Sequence, residues 1–235
     1  MKEVLVLFSG GKDSFLSTLL MLEKGYKVNI VTYENGCGLK ASNALHGAKR
    51  ILKKYGKNNV NIIGIQRIEA IWREFIYQYY NMKTSEILKS YGETTISQFN
   101  CLTCRLSMYI MTIILCLKNN IDTVVDGARK SQLFVLEQNE LLERFEKLFK
   151  KYNIKIVYPV KELESDYELK NELLIRGFVP KMLETQCLLG VPLQQGEIDK
   201  EIINGMEKIY DNLLKNKAEE LIEKYKDVDI LGEYL

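Results

Sequence analysis

The sequence predicts an α/β fold: a doubly wound, parallel five-stranded sheet flanked by helices, with a helical extension at the C-terminus. Three observations carry that expectation. Strand-like and helix-like segments alternate as β-α-β-α-β within the first 65 residues, the pattern of a parallel sheet with crossover helices. The first strand is one continuous apolar run, as a strand buried on both faces should be. Glycines at 25, 56 and 177 close successive helical patterns, which is where C-terminal caps place them.

Taken in order, residues 4–8 (VLVLF) are the first strand and run straight into Ser9-Gly10-Gly11-Lys12-Asp13-Ser14. Residues 14–24 set Phe15, Leu16, Leu19, Leu20 and Leu22 at helical spacing. Residues 28–33 (VNIVTY) form a second strand, and residues 40–55 a helix with Ala44, Leu45, Ala48, Ile51 and Leu52 on one face. Residues 61–65 make the third strand. An aromatic helix follows over 69–80 (EAIWREFIYQYY) and continues towards residue 89. The polar stretch 90–100, with Gly92 and Thr94-Thr95, reads as a loop. Helix returns over 101–117, and 123–125 form a buried strand ending at Asp126-Gly127. An amphipathic helix over 137–151, a strand over 155–160 (KIVYPV) and a helix over 166–176 complete the main unit. All three prolines lie in the C-terminal half. The domain boundary is therefore expected within 178–196, with residues 1–177 as the main domain and residues 178–235 as a mostly helical extension packed on it.

The bulk numbers exclude little. With 33 Lys plus Arg against 31 Asp plus Glu in 235 residues, no strong field demands nucleic acid and none forbids it. The longest apolar stretch, residues 108–117, falls short of the roughly 20 residues that span a bilayer, so no membrane partner is expected. The apolar start is too short for a signal peptide and is broken by glycines. Five cysteines, an odd number, argue against a disulfide framework, and a cytoplasmic protein is the expectation.

A glycine-rich turn between a strand and a helix faces the carboxyl edge of a parallel sheet. There the helix dipole and successive backbone N–H groups favour an anion. Gly10 and Gly11 admit close approach of an oxygen-rich ligand, Ser9 and Ser14 offer hydroxyls, and Lys12 adds charge. Two common phosphate motifs are excluded: Val6 stands where a Walker A loop needs its first glycine, and the adjacent glycines fail G-x-G-x-x-G. A tight βα turn, capped by Asp13 or Ser14, is the bland alternative.

The string SGGKDS resembles the SGGxDS signature of the PP-loop ATP pyrophosphatases, in the position after the first strand that this family uses. The resemblance implies an adenine nucleotide alpha hydrolase-like fold in which Ser9, Gly10, Gly11, Asp13 and Ser14 grip the β- and γ-phosphates of ATP, with Mg²⁺ helping to hold pyrophosphate. It implies transfer of AMP to a substrate oxygen, then displacement of that AMP by nitrogen or sulfur. Thr32 and Tyr33 fall where the family cradles adenine, largely through backbone, and Gly127 falls at a second nucleotide-facing turn. Arg129 and Lys130 are candidate phosphate contacts or solvated loop charges.

Cysteines separate the possible second steps. Cys101-Leu102-Thr103-Cys104 is a C-x-x-C, a spacing shared by metal, redox and persulfide chemistry. Both sulfurs are expected at a helix start, where the dipole favours thiolates. Cys187 follows the fifth strand and its helix and can return to the same sheet edge. This layout resembles the tRNA-thiolating members of the PP-loop family, which implies that Cys101, Cys104 and Cys187 hold a [4Fe–4S] cluster. With Lys12 and Asp13, Cys101 and Cys104 are then the candidate catalytic residues, and the partners are ATP, a sulfur donor and a tRNA or small-molecule substrate. A persulfide pair and a structural Zn²⁺ stay open, the latter with Cys37 or His46 as a fourth ligand. Cys116 reads as core.

The N-terminal sequence also resembles 7-cyano-7-deazaguanine synthase, a nitrogen-inserting relative whose zinc sits on four clustered C-terminal cysteines. This sequence has only Cys187 in its C-terminal half. A non-catalytic adenine-nucleotide-binding module is the alternative of a different class. The basic clusters at Lys49, Arg50, Lys53 and Lys54 and at Lys147, Lys150 and Lys151 read as solvated faces rather than an RNA platform. The aromatic and C-terminal helices are candidate homodimer surfaces.

Overall fold

The computed structural model describes residues 2–39, 41–80, 90–92, 94–180, 186–189 and 198–228. Five parallel strands form the central sheet in the order β4-β2-β1-β5-β6: β1 (Glu3–Leu7), β2 (Lys27–Glu34), β4 (Val60–Arg67), β5 (Thr123–Val125) and β6 (Lys155–Val157). The order reverses at β1, so the crevice beyond its carboxyl end is the topological switch point where open α/β sheets take ligands.

Alternation along β1 divides the interior. Val4 and Val6, with Phe8, face one cluster, which gathers α1 (Lys12–Glu23), α2 (Ser42–Tyr55) and α6 (Asp166–Ile175). Leu5 and Leu7 face the other, with α3 (Glu69–Tyr80), α4 (Ile96–Asn119) and α5 (Asn139–Lys151). The C-terminal helices α7 (Lys200–Ile209) and α8 (Lys215–Tyr225), joined by a π-helical turn over Tyr210–Leu214, enter that second cluster through Met206, Ile209, Tyr210, Leu214, Leu221 and Ile222. Full burial of each such side chain is worth about 1.5–3 kcal/mol, so α7 and α8 share the core of the main unit. The aromatic helix is engaged here too: Ile71, Trp72 and Phe75 point inward, and Glu74 pairs with Lys217 and Lys224 of α8.

Several expected boundaries move. Helix α4 begins at Ile96, inside the stretch expected to be a loop. Thr95 and Gln98 form a reciprocal capping box that starts it, leaving Cys101 and Cys104 in the second and third turns. That helix is long and apolar enough to cross a membrane by length and composition, yet 67% of its most apolar window is buried; it is a core helix of this fold. The strand expected over 155–160 ends at Val157, because Pro159 cannot donate to a ladder. A 3₁₀ turn over Val135–Glu137 precedes α5, which starts at Asn139. A second, two-stranded antiparallel sheet joins β3 (Gly38–Leu39) to β7 (Gln186–Cys187); strands of two residues leave no periodic signal. The expected continuation of the aromatic helix over 81–89 and most of the expected boundary segment lie outside the described residues.

The basic clusters take structural partners. Arg50 lies over the Phe15 and Phe178 rings and donates to the Val179 carbonyl. Lys54 sits 4.7 Å from the Phe178 centroid and donates to the Arg176 carbonyl. Lys151 pairs with Glu219 at 2.7 Å.

Candidate functional site

A cavity of about 250 Å³ opens at the switch point, lined among others by Ser9, Asp13, Ser14, Thr32, Tyr33, Gly127 and Cys187. The loop between β1 and α1 forms one wall. Gly10 takes φ +83°, open to glycine at no steric cost, and lets the chain turn into the helix. Gly11 is the N-cap and receives no side-chain cap, so neither Asp13 nor Ser14 acts as the cap of a plain turn. Instead the serines brace the loop. Ser9 Oγ accepts from the Gly11 amide at 3.1 Å, Ser14 Oγ donates to the Gly11 carbonyl at 3.1 Å, and the two hydroxyls lie 3.2 Å apart.

Gly127 is required by close approach. A Cβ there would stand 2.7 Å from the Ser14 nitrogen and 2.9 Å from its Cα, so the turn after β5 lies directly on the backbone at the start of α1. Thr32 and Tyr33 both line the cavity, and their side-chain hydroxyls have partners within the fold. Thr32 Oγ1 donates to the Phe8 carbonyl at 2.8 Å, and the Tyr33 hydroxyl pairs with Thr112 Oγ1 at 2.7 Å.

Asp13 is held rigidly. Arg129 Nε donates to its Oδ1 at 2.6 Å and Gln132 Nε2 to its Oδ2 at 2.8 Å. Burial pushes its carboxyl above the usual range while the Arg129 charge pulls the other way. The Arg129 guanidinium, only 6% exposed, also reaches Asp166 Oδ1 at 3.1 Å. Lys12 pairs with Asp166 at the start of α6 and is not among the residues that line the cavity. Arg129 is thereby a positioning residue for Asp13, a role its place in a polar loop does not announce.

Deeper in the cavity lies a buried network that sequence reasoning missed. Arg105 donates to Asp126 Oδ2 at 2.9 Å and lies 3.5 Å from Glu137 Oε1. The Tyr109 hydroxyl donates to Asp126 Oδ2 at 2.6 Å, and Glu137 Oε2 accepts from the Arg129 amide at 3.1 Å. Burial pushes the Glu137 carboxyl up to about 7 despite the Arg105 charge. In sequence, Glu137 looks like an ordinary surface acid at a helix start.

A second cavity of about 310 Å³ adjoins the first and is lined by Cys101, Cys104 and Cys187 together with Trp72, Phe134 and Leu136. Asn35, Arg105, Met108 and Cys187 line both. The structure thus brings Cys187 to the same cavity as the C-x-x-C pair, 83 residues away in sequence. The cysteines do not lie at the helix start expected for them, and the dipole effect fades beyond the first turn. Burial instead pushes the Cys104 thiol up to about 12. Among the described residues no three His, Cys, Asp or Glu side chains stand close enough to hold a single metal ion. Cys37 neighbours Cys187, since the Leu188 amide donates to the Cys37 carbonyl at 3.0 Å. Cys116 is buried in the core and His46 is exposed on α2.

Comparison with known proteins agrees with this geometry. The family described as "Thiamine biosynthesis protein (ThiI)" matches residues 1–159. No curated protein matches the chain significantly. Among solved structures, a 4-thiouridine synthetase in complex with RNA and bound ATP aligns with a TM-score of 0.60 at 13% identity, covering 94% of this chain. The chain spans about half of that synthetase, 53% of its length. The NMN synthetase of Francisella tularensis aligns with a TM-score of 0.49 at 13% identity, covering 96% of this chain and 83% of that one. The likeness to the first shows that the fold is that of the PP-loop proteins.

Proposed function

The chain belongs to the ThiI family, and from that premise we propose that it is an ATP pyrophosphatase-type enzyme that adenylates a carbonyl oxygen of its substrate and then replaces that oxygen with sulfur. The observation that carries the reading is the adjacency of the two cavities: Cys187 lines both the pocket that holds Ser9, Asp13 and Ser14 and the pocket that holds Cys101 and Cys104. A nucleotide phosphate and a sulfur nucleophile can then meet one substrate atom.

In this reading Ser9, Gly10, Gly11 and Ser14 grip the β- and γ-phosphates, Asp13 would hold Mg²⁺, which would help to neutralise the pyrophosphate charge, and the backbone at Thr32 and Tyr33 receives adenine. The substrate oxygen attacks the α-phosphorus and pyrophosphate leaves; the loop stabilises the charge that develops on it. Sulfur then adds to the activated carbon and AMP departs with the oxygen. With hydrosulfide as nucleophile the exchange needs neither oxidant nor reductant. A tRNA substrate is supported by family membership and by the RNA-bound synthetase whose fold the chain shares.

The donor set at the second cavity fits an iron–sulfur cluster in kind: three soft thiols line it, and thiolates are the ligands such clusters take. Cys101, Cys104 and Cys187 would hold it, and a cubane accepts ligands spread more widely than a single ion does. When bound, the cluster supplies a soft electrophilic site for a sulfur donor. The protonated state that burial imposes on Cys104 means that loading must release protons.

Iron and acid-labile sulfide measured on anaerobically purified wild type and Cys187→Ser test this. The expected outcome is iron and sulfide in the wild type and their loss in the variant. An iron-free wild type that still thiolates would replace the cluster by a persulfide on Cys101 or Cys104. Turnover supported by ammonia and not by sulfide would move the enzyme to the nitrogen-inserting class.

A further inference from the structure

The loop after β2 carries a side chain to which the proposed nucleotide contacts assign no role. Asn35 lines both cavities. Its Oδ1 accepts from the Cys37 amide at 2.9 Å, closing an Asx turn. That bond orients the amide: with the oxygen on the backbone, the Nδ2 group faces the thiols. Nδ2 donates to Cys104 Sγ at 3.2 Å and reaches Cys187 Sγ at 3.8 Å.

These two sulfurs arrive on unrelated pieces of chain. Cys104 is fixed within α4 and buried, whereas Cys187 is exposed and sits on a strand of two residues. The same loop pairs with that strand, Gly38 against Cys187, and the Leu188 amide donates to the Cys37 carbonyl. Backbone pairing places the Cys187 Cα but leaves its side chain a choice of three rotamers. A hydrogen bond from a fixed amide selects among them, and the amide that does so is already bonded to Cys104.

We propose that Asn35 is a positioning residue whose amide holds the Cys187 sulfur in register with that of Cys104 at the border of the nucleotide and thiol cavities. Its purpose rests on the sulfur-transfer reading; its geometry does not.

The test uses the full chain, metal-free and reduced, with Cys37 and Cys101 replaced by Ser so that Cys104 and Cys187 remain at the cavity. The rate at which dibromobimane bridges the two thiols is read by fluorescence, and ATP affinity is measured alongside. Asn35→Ala removes the whole amide. Asn35→Asp keeps an acceptor for the Cys37 amide, removes the donor and adds a negative charge, so the thiol titration of each variant is measured alongside and bridging rates are compared per thiolate. Both variants are expected to slow bridging roughly fivefold, the worth of one side-chain hydrogen bond, with ATP affinity unchanged. Bridging at the parent rate in Asn35→Asp would overturn the proposal, since the Asx turn alone would then suffice. A fall in ATP affinity by the same factor as bridging would also overturn it, marking collapse of the loop. Neither readout involves iron or sulfur transfer, so an iron-free or non-thiolating enzyme leaves this result standing on its own.

Discussion

Six contiguous residues make the proposed phosphate end of the site, whereas the thiol end draws on α4, the loop after β2 and residues 186–189. At the first, the chain's own turn does the shaping: Gly10 turns it, two serines brace it, and Gly127 lies against it. At the second, a two-residue ladder and one amide bring together side chains that sequence keeps 83 positions apart. The contrast teaches where each end is vulnerable. A contiguous turn survives most changes elsewhere and fails at its own residues. A gathered site depends on contacts that no local motif encodes. Between them, Arg105 lines both cavities and ties to Glu137 and Asp126.

The largest effect is expected from Asp13→Asn. It leaves the shape of the loop intact but removes the charge that faces Arg129 and that would face Mg²⁺ in the proposed reading. Pyrophosphate release should fall about 10²–10³-fold, the usual cost of one preorganised electrostatic contact, while dibromobimane bridging of Cys104 and Cys187, read with Cys37 and Cys101 replaced by Ser, stays at the parent rate. If bridging fell as well, the two ends would be one cooperative unit and the contrast would break.

The seam between them should show in the pH dependence of stability. Glu137 in the folded protein titrates near 7, well above its ordinary value near 4.5. The folded state therefore holds a proton that the unfolded chain has already lost. Stability from this group is complete below about pH 4.5 and is lost as pH rises through about 7, a change of about 3 kcal/mol at most. Denaturant midpoints at pH 5 to 8 should fall more steeply for wild type than for Glu137→Gln. Parallel curves would show that Arg105 compensates the charge fully.

Gly127→Ala sharpens the account of the phosphate end at smaller cost. Its Cβ must displace the start of α1, and overpacking of this kind costs about 1–3 kcal/mol. The expected result is a lower Tm with weakened ATP binding. A variant of lower Tm but unchanged ATP affinity would show that the loop tolerates a shift of the helix.

Much of this was legible before any fold was known. The sheet, the order of its strands along the chain and the SGGKDS turn depend on local pattern, and apolar period and glycine placement record it directly. The start of α4 is legible too: Thr95 and Gln98 spell a capping box, but the polar residues around them mask it with a loop-like composition. The roles of Arg129, Glu137 and Asn35 were not legible. Each is an ordinary polar residue in a loop or short turn, and only burial and a distant partner distinguish it. Lys12 shows the reverse, a charge inside a phosphate motif that α6 claims through Asp166.

By itself, then, the sequence determined the three-layer α/β fold and the glycine turn at the carboxyl end of β1, because both follow from periodicity and from backbone freedom at adjacent positions. Tertiary structure decided which side chains face one another across the switch point. It buried Cys104 beyond the reach of the helix dipole, set Arg129 on Asp13, and carried Cys187 back to the loop after β2. The physical reason is that burial and long-range pairing depend on how the layers close on the sheet, and no short window of sequence contains that.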